Sequence, residues 1–274
     1  MGQRAGERPY GEVVASMCVS IVGGAGPERV NPSFRVTRDE ARVALRRMRA
    51  SPAPLERPLV VLGGINEVGY GPWLTRREID PVVRGKVTTI VYPLADRFTY
   101  CRKKVIEGVD RAFGSTRDDE TVEVDVIGQS MGGVIAMFSA MRDDSFGKRL
   151  RIRRLFTLAS PLNGARLANA LSWVSPLPLH HDLRTESVNK LKLHDSIDYD
   201  VVSYTRLNDG IVGARYAYLP TAPGVWWVDH PPFDLPHTGC FADVRVLADI
   251  ARRLRGESPL TASEPAPLPE EERR

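Results

Sequence analysis

The stretch Asp125–Gly133, DVIGQSMGG, places Ser130 between Gly128 and Gly132 in a G-x-S-x-G pattern, with Gly133 extending it. A serine on a sharp strand-to-helix turn has its hydroxyl held clear for nucleophilic attack. Glycines two positions to either side let neighbouring segments approach without a side chain in the way. The start of the following helix aims amide groups toward developing negative charge. The pattern alone also fits an ordinary serine in a glycine-rich loop. What favours the turn is its context, an apolar run before it and the helix-compatible SMGGVIAMFSAM after it.

A serine hydroxyl is a poor nucleophile unless a base takes its proton and a third group orients that base. The chain has five histidines, His180, His181, His194, His230 and His237. His237 is the best base, because it lies in the loop PFDLPHTGC directly before the last helical segment; His230, in WWVDHPP, is the reserve. His180 and His181 read as surface or packing residues, and His194 as structural. For the orienting acid, Asp209 in RLNDGIVG follows a strand and precedes His237 in the chain, although an Asp-Gly pair is also a good turn former. Asp229 and Asp234 compete with it.

The anion produced by attack needs donors. Met131 follows the serine directly, and the glycine-rich loop after LVVL offers Ile65, with Gly64 or Asn66 as substitutes; the amides of Met131 and Ile65 are the expected pair.

The elements that must position these groups alternate. A helix is expected over about Asp39–Arg49, with Thr37 and Glu40 at capping-box spacing and Ala41, Ala44, Leu45 and Met48 on one stripe. A short strand follows at Leu59–Leu62, running into the polar, glycine-rich GGINEVGYGPW. Then come a strand in Lys86–Leu94, a helix over Thr99–Phe113, and a strand in TVEVDVIG whose valines alternate with acidic residues. RRLFTLAS and YDVVSYTRL read as further strands, and Phe241–Leu254 as a final helix. Such alternation predicts an α/β fold with a mainly parallel central sheet flanked by helices, whose sites gather beyond the carboxyl ends of the strands. One domain over 1–256 is expected, with 162–196 long enough to leave the sheet and return, as a lid or as a packed insertion. The Pro- and Glu-rich tail 257–274 is expected to be disordered.

Composition narrows the function classes. A formal charge of +4 from 38 basic and 34 acidic residues, spread along the chain, gives little reason for a nucleic-acid groove. Cys18, Cys101 and Cys240 are widely spaced and form no metal-ligand pair; no metal or cofactor is expected, and a disulfide between two of them stays open. GGAG at 23–26 lacks the lysine of a phosphate loop and the full dinucleotide fingerprint. The early apolar stretch is interrupted by Gly23, Gly24 and Gly26, which argues against a secretion signal or membrane anchor. A cytoplasmic location is the default expectation, and a chain already trimmed of a signal would read the same.

LVVLGG at 59–64, GQSMGG at 128–133, TLASPLNG at 157–164, NDGIV at 208–212 and the His237 loop together resemble the α/β-hydrolase superfamily, especially its microbial lipases and esterases. The resemblance runs from about Leu59 to Leu254. It implies Ser130 as nucleophile, Asp209 as acid and His237 as base in a cofactor-free hydrolysis of carboxylic esters, lipid esters among them, through an acyl-enzyme. Two segments depart from the pattern. Ser160, Pro161, Leu162 and Asn163 stand where lipases read Thr-Pro-His and a small residue, and Gly63-Gly64 stands where many relatives carry His-Gly. Leu162, Trp173 and Leu177 are the expected lining of an acyl site, though the same residues would serve as an ordinary packing face. An amidase, peptidase or thioesterase would use the same serine machinery. A hydrolase fold that only binds is the reading from a different class.

Overall fold

The computed structural model describes residues 33–65, 67–142, 145, 147–166, 182–184, 187–188, 193, 197–219, 224–229 and 234–273. At its centre is a six-stranded sheet made of β1 (Leu59–Leu62), β2 (Val87–Ile90), β3 (Val124–Gln129), β4 (Ile152–Leu158), β5 (Asp200–Arg206) and β6 (Trp226–Val228). The spatial order is β2-β1-β3-β4-β5-β6, and every neighbouring pair is parallel. This is the expected α/β arrangement, with the parallel sheet covered on both faces by helices.

Strand β1 shows why a four-residue run suffices. Val60 and Leu62 join the core on one face, Leu59 and Val61 the core on the other, so an unbroken apolar strand is what a doubly covered sheet requires. The first face is covered by α3 (Phe98–Phe113) and α4 (Met131–Ala140). All ten residues of α4 are buried, as expected of MGGVIAMFSA, which is almost wholly apolar around its circumference. The opposite face carries α1 (Arg38–Ala50) packed against α5 (Val244–Leu254), with α2 (Tyr70–Ile79) beside them. Helix α1 starts on a complete capping box between Thr37 and Glu40 and buries Ala41, Leu45 and Met48.

At four places the structure adds detail to the sequence reading or differs from it. Of TVEVDVIG only Val124 onward is in β3; Glu123 just before it is partly exposed, while all six residues of that strand are buried. Asp125 is enclosed there and bonds Arg154 Nε and Nη2 at 3.0 and 2.6 Å. The glycine-rich run after β1 is short, since Tyr70 already begins α2; Glu67 Oε1 accepts from the Gly69 and Tyr70 amides and so caps a helix that no side chain at Gly69 could cap. The last helix begins at Val244, preceded by two short helical turns. Finally, the tail is ordered through Arg273. The indoles of Trp226 and Trp227 donate to the carbonyls of Ala262 and Ala266, buried Asp249 accepts from the Leu260 and Thr261 amides, and Leu268 is buried. A Pro- and Glu-rich segment without a core of its own is here held by partners on β6 and α5.

Cys101 and Cys240 are free thiols in the cores of opposite sheet faces, and Cys18 lies outside the described residues. Burial pushes the Cys101 thiol up to about 12 and Cys240 higher still, so both are inert thiols rather than nucleophiles.

Candidate active site

The carboxyl ends of β3 and β5 and the turn before α5 deliver three side chains to one point. Between β3 and α4 there is a single residue, Ser130, with φ 49° and ψ −126°. A non-glycine residue in that region is strained, and the strain is held by its surroundings. Its amide donates to Leu158 O at the end of β4 at 2.8 Å, and its carbonyl accepts from Gly133 at 3.2 Å. The flanking glycines are set by contact rather than by backbone angle. A Cβ on Gly128 would lie 2.5 Å from Gly133 Cα, and one on Gly132 would lie 2.6 Å from Leu62 O. Both approaches are closer than a side chain permits, so the turn, the helix and the end of β1 can meet only if these positions carry none.

His237 lies on a one-turn helix, Pro236–Gly239, where the sequence suggested a loop. Its Nε2 is 3.0 Å from Ser130 Oγ, and its Nδ1 is 2.8 Å from Asp209 Oδ2. A carboxylate only accepts, so the hydrogen of this pair sits on Nδ1. In the neutral ring Nε2 is then the acceptor for the serine hydroxyl. The imidazole packs against the Phe241 ring in a T-shaped arrangement, with ring centroids 5.6 Å apart.

Asp209 follows β5 in a turn opened by Asn208 at φ 60°, a conformation that Asn tolerates better than most residues. It is 2% exposed. Its second oxygen, Oδ1, accepts from the amides of Ile211 and Val212 at 2.9 and 3.0 Å, so the carboxylate is held at both oxygens. Burial alone would raise this carboxyl. The positive charge available on His237, their hydrogen bond and the two amides outweigh it and hold Asp209 below the usual carboxylate range.

The two acids that competed in the sequence are committed elsewhere. Asp229 bonds Arg245 Nη1 at 2.5 Å, and Asp234 bonds Arg206 Nη1 at 2.5 Å. His180, His181, His194 and His230 lie outside the described residues.

The loop after β1 lies against the serine. A Cβ on Gly64 would sit 3.3 Å from Ser130 Cβ and 3.8 Å from its Oγ, so only a bare backbone fits at that range without displacing something. Ile65 follows at once, partly buried against the core, and Asn66 is outside the described residues. Across the turn, Met131 is the first residue of α4, where the helix supplies no acceptor for its amide. Leu162 is 3% exposed and packs in the core on the α3 and α4 face; Trp173 and Leu177 lie outside the described residues.

Residues that motif reading passed over hold this assembly. Gln129 Nε2 donates to Gly71 O at 2.9 Å and to Thr75 Oγ1 at 2.6 Å, and Thr75 Oγ1 donates to Phe241 O at 2.8 Å. One buried chain therefore ties the residue before Ser130 to α2 and to the histidine segment. Ser160 Oγ, from the segment that departs from the lipase pattern, donates to Gly128 O at 3.2 Å and sits where a Cβ on Gly133 would be. The sequence signal for Gln129 was its place within the motif; Thr75 carried none. Among the described residues no cluster of histidine, cysteine and acid could hold a metal ion, and no helix is long and apolar enough to cross a membrane.

No family model matches the chain, and no curated protein matches it. Solved structures do. RedJ-thioesterase from the prodiginine biosynthetic pathway in Streptomyces coelicolor is 14% identical over 84% of this chain and 95% of its own, with a TM-score of 0.44. The product of the Listeria innocua gene lin2722 is 13% identical over 76% and 96%, with a TM-score of 0.46. The NocB thioesterase domain, solved as a covalent complex with a fluorophosphonate nocardicin G analogue, is 18% identical over 72% and 94%, with a TM-score of 0.41.

Proposed function

We propose that this chain is a serine hydrolase of carboxylic esters, acting through Ser130, His237 and Asp209 by way of an acyl-enzyme. The observation that carries the proposal is the continuous chain Ser130 Oγ, His237, Asp209, with contacts of 3.0 and 2.8 Å, set on a strained turn at the carboxyl end of the sheet.

Ser130 Oγ attacks the ester carbonyl carbon as His237 Nε2 takes its proton. Asp209 keeps the Nδ1 tautomer and stabilises the imidazolium that forms. The negative charge on the former carbonyl oxygen falls to the amides of Met131 and Ile65, whose service costs no reorganisation because both are backbone groups. Collapse of the intermediate breaks the bond to the leaving oxygen, which receives the proton from His237. Water then gives its proton to His237 and attacks the acyl carbon. A second collapse frees the acid and returns the proton to Ser130. The acyl side is assigned to Leu162, Trp173 and Leu177, and ester over thioester or amide is a choice that this machinery does not itself make.

A fluorophosphonate probe tests the reading. The expected result is one stoichiometric adduct mapped to Ser130, with turnover of short and long acyl esters in a panel that also holds a thioester and an anilide. Ser130→Ala is expected to lose both label and turnover, the latter by about 10⁴-fold or more. Undiminished hydrolysis by Ser130→Ala removes the proposal. A wild-type chain that takes no label favours a fold used only for binding.

A further inference from the structure

Arg206 is the last residue of β5 and stands three positions before Asp209. Only 3% of it is exposed. Its guanidinium lies against the segment 234–243 that carries His237 and grips that segment at both ends. Nη1 donates to Asp234 Oδ2 at 2.5 Å, three residues before the histidine, while Nε and Nη2 donate to Asp243 Oδ2 at 3.2 and 3.0 Å, six residues after it. Between the two acids the backbone rests on the ion pair itself. A Cβ on Gly239 would be 2.1 Å from Arg206 Nη1 and 2.7 and 2.8 Å from the Asp234 oxygens. Asp243 has a second partner in Arg245, which bonds its Oδ1 through the backbone amide and Nε, and Arg245 reaches on to Asp229 just past β6.

We infer that Arg206 is a positioning residue for His237: it fixes the two ends of the histidine segment to β5, the strand that also presents Asp209. The inference rests on the serine-hydrolase reading above. Arg206 bonds neither Ser130 nor His237, so it acts only through the backbone that it holds. One strand end then supplies both references for the imidazole. Asp209 sets the ring through Nδ1, and Arg206 sets the main chain from which the ring projects. A planar fork that donates from three nitrogens can hold two acids at once, which the single ammonium of a lysine does less well. Placement matters because a base displaced by about 1 Å from its nucleophile can cost about 100-fold in rate.

Asp234 is the partner to vary, because its side chain is 38% exposed and its loss leaves Arg206 paired with Asp243. In Asp234→Asn, kcat per folded molecule is expected to fall about 10-fold or more, with KM within about threefold of wild type and the thermal midpoint little changed. Asp234→Glu, which restores the charge, is expected to recover part of the rate. Arg206→Met is expected to lose at least as much as Asp234→Asn, and adding Asp234→Asn to it should cost little more. Wild-type kcat in Asp234→Asn, or a rate that falls only as far as the folded fraction falls, overturns the inference while Ser130 labelling leaves the hydrolase reading intact. A wild-type chain that neither labels nor turns over removes that reading, and this role with it.

Discussion

At the residue scale the arrangement turns on Asp209, a buried carboxylate with an imidazole on one oxygen and two amides on the other. Asp209→Asn keeps the shape but can present its NH₂ to Nδ1, which favours the tautomer with the hydrogen on the wrong nitrogen. The expected outcome is a loss of kcat on the order of 10⁴-fold with the substrate still bound, measured by steady-state kinetics. The same carboxylate also links stability to acid. Asp209 and Asp243 are both held below the usual carboxylate range. For Asp243, burial acts to raise the group, and Arg206 followed by Arg245 outweighs it. A depressed acid contributes stability that is fully present above its unfolded pKa, and that contribution is lost as pH falls through the depressed native value. The urea midpoint is therefore expected to hold above about pH 5 and to fall progressively below about pH 4. An acid limb that stays flat to pH 2 would contradict the two shifts.

The turn between β3 and α4 belongs to the scale of elements, because its glycines answer to neighbouring backbone rather than to the serine. Gly128 and Gly133 face each other across it, and a methyl on Gly128 has backbone at 2.5 and 2.6 Å with no flexible side chain to move aside. Gly128→Ala is accordingly expected to destabilise the fold by about 2 kcal/mol or more, read from denaturant unfolding, because overpacking here must displace a buried helix start. Its activity is expected to fall further than its folded fraction, since Ser130 shifts with the helix. An ordinary loop would accept alanine with a change of a few tenths of a kcal/mol, the usual size for surface substitutions.

Over the whole molecule, the C-terminal segment closes the β6 edge of the sheet. It offers carbonyls to two indoles, amides to buried Asp249, and Glu272 to the amide of Asn208, next to the Asp209 turn. Removing residues 259–274 exposes both tryptophans and leaves an oxygen of a buried carboxylate without its two amide donors. A fall of several degrees in the thermal midpoint is expected, corresponding to about 2 kcal/mol or more. Tryptophan emission should shift to the red. A truncated chain with wild-type emission and midpoint would show that the segment contributes nothing to the edge it covers.

Much of this was legible because it is written locally. LVVL reads as a doubly buried strand from four residues, Thr37 and Glu40 cap a helix across three, and the demand for glycine around Ser130 is a steric rule of one turn. Chain order placed an acid after β5 and a histidine before the last helix. Position after a strand and before His237 favoured Asp209, but pattern gave no physical ground for setting aside Asp229 and Asp234, since each is an acid near a turn. That ground came from arginines brought in by the fold, Arg245 taking Asp229 and Arg206 taking Asp234, while Asp209 lies beneath the imidazole. The ordered tail and the link from Gln129 through Thr75 to Phe241 were hidden for the same reason. Residue types set what a short stretch of backbone can do. Which polar groups meet across dozens to hundreds of residues depends on the packed sheet, where a buried charge or amide must find a partner and takes the one that the tertiary structure puts in reach.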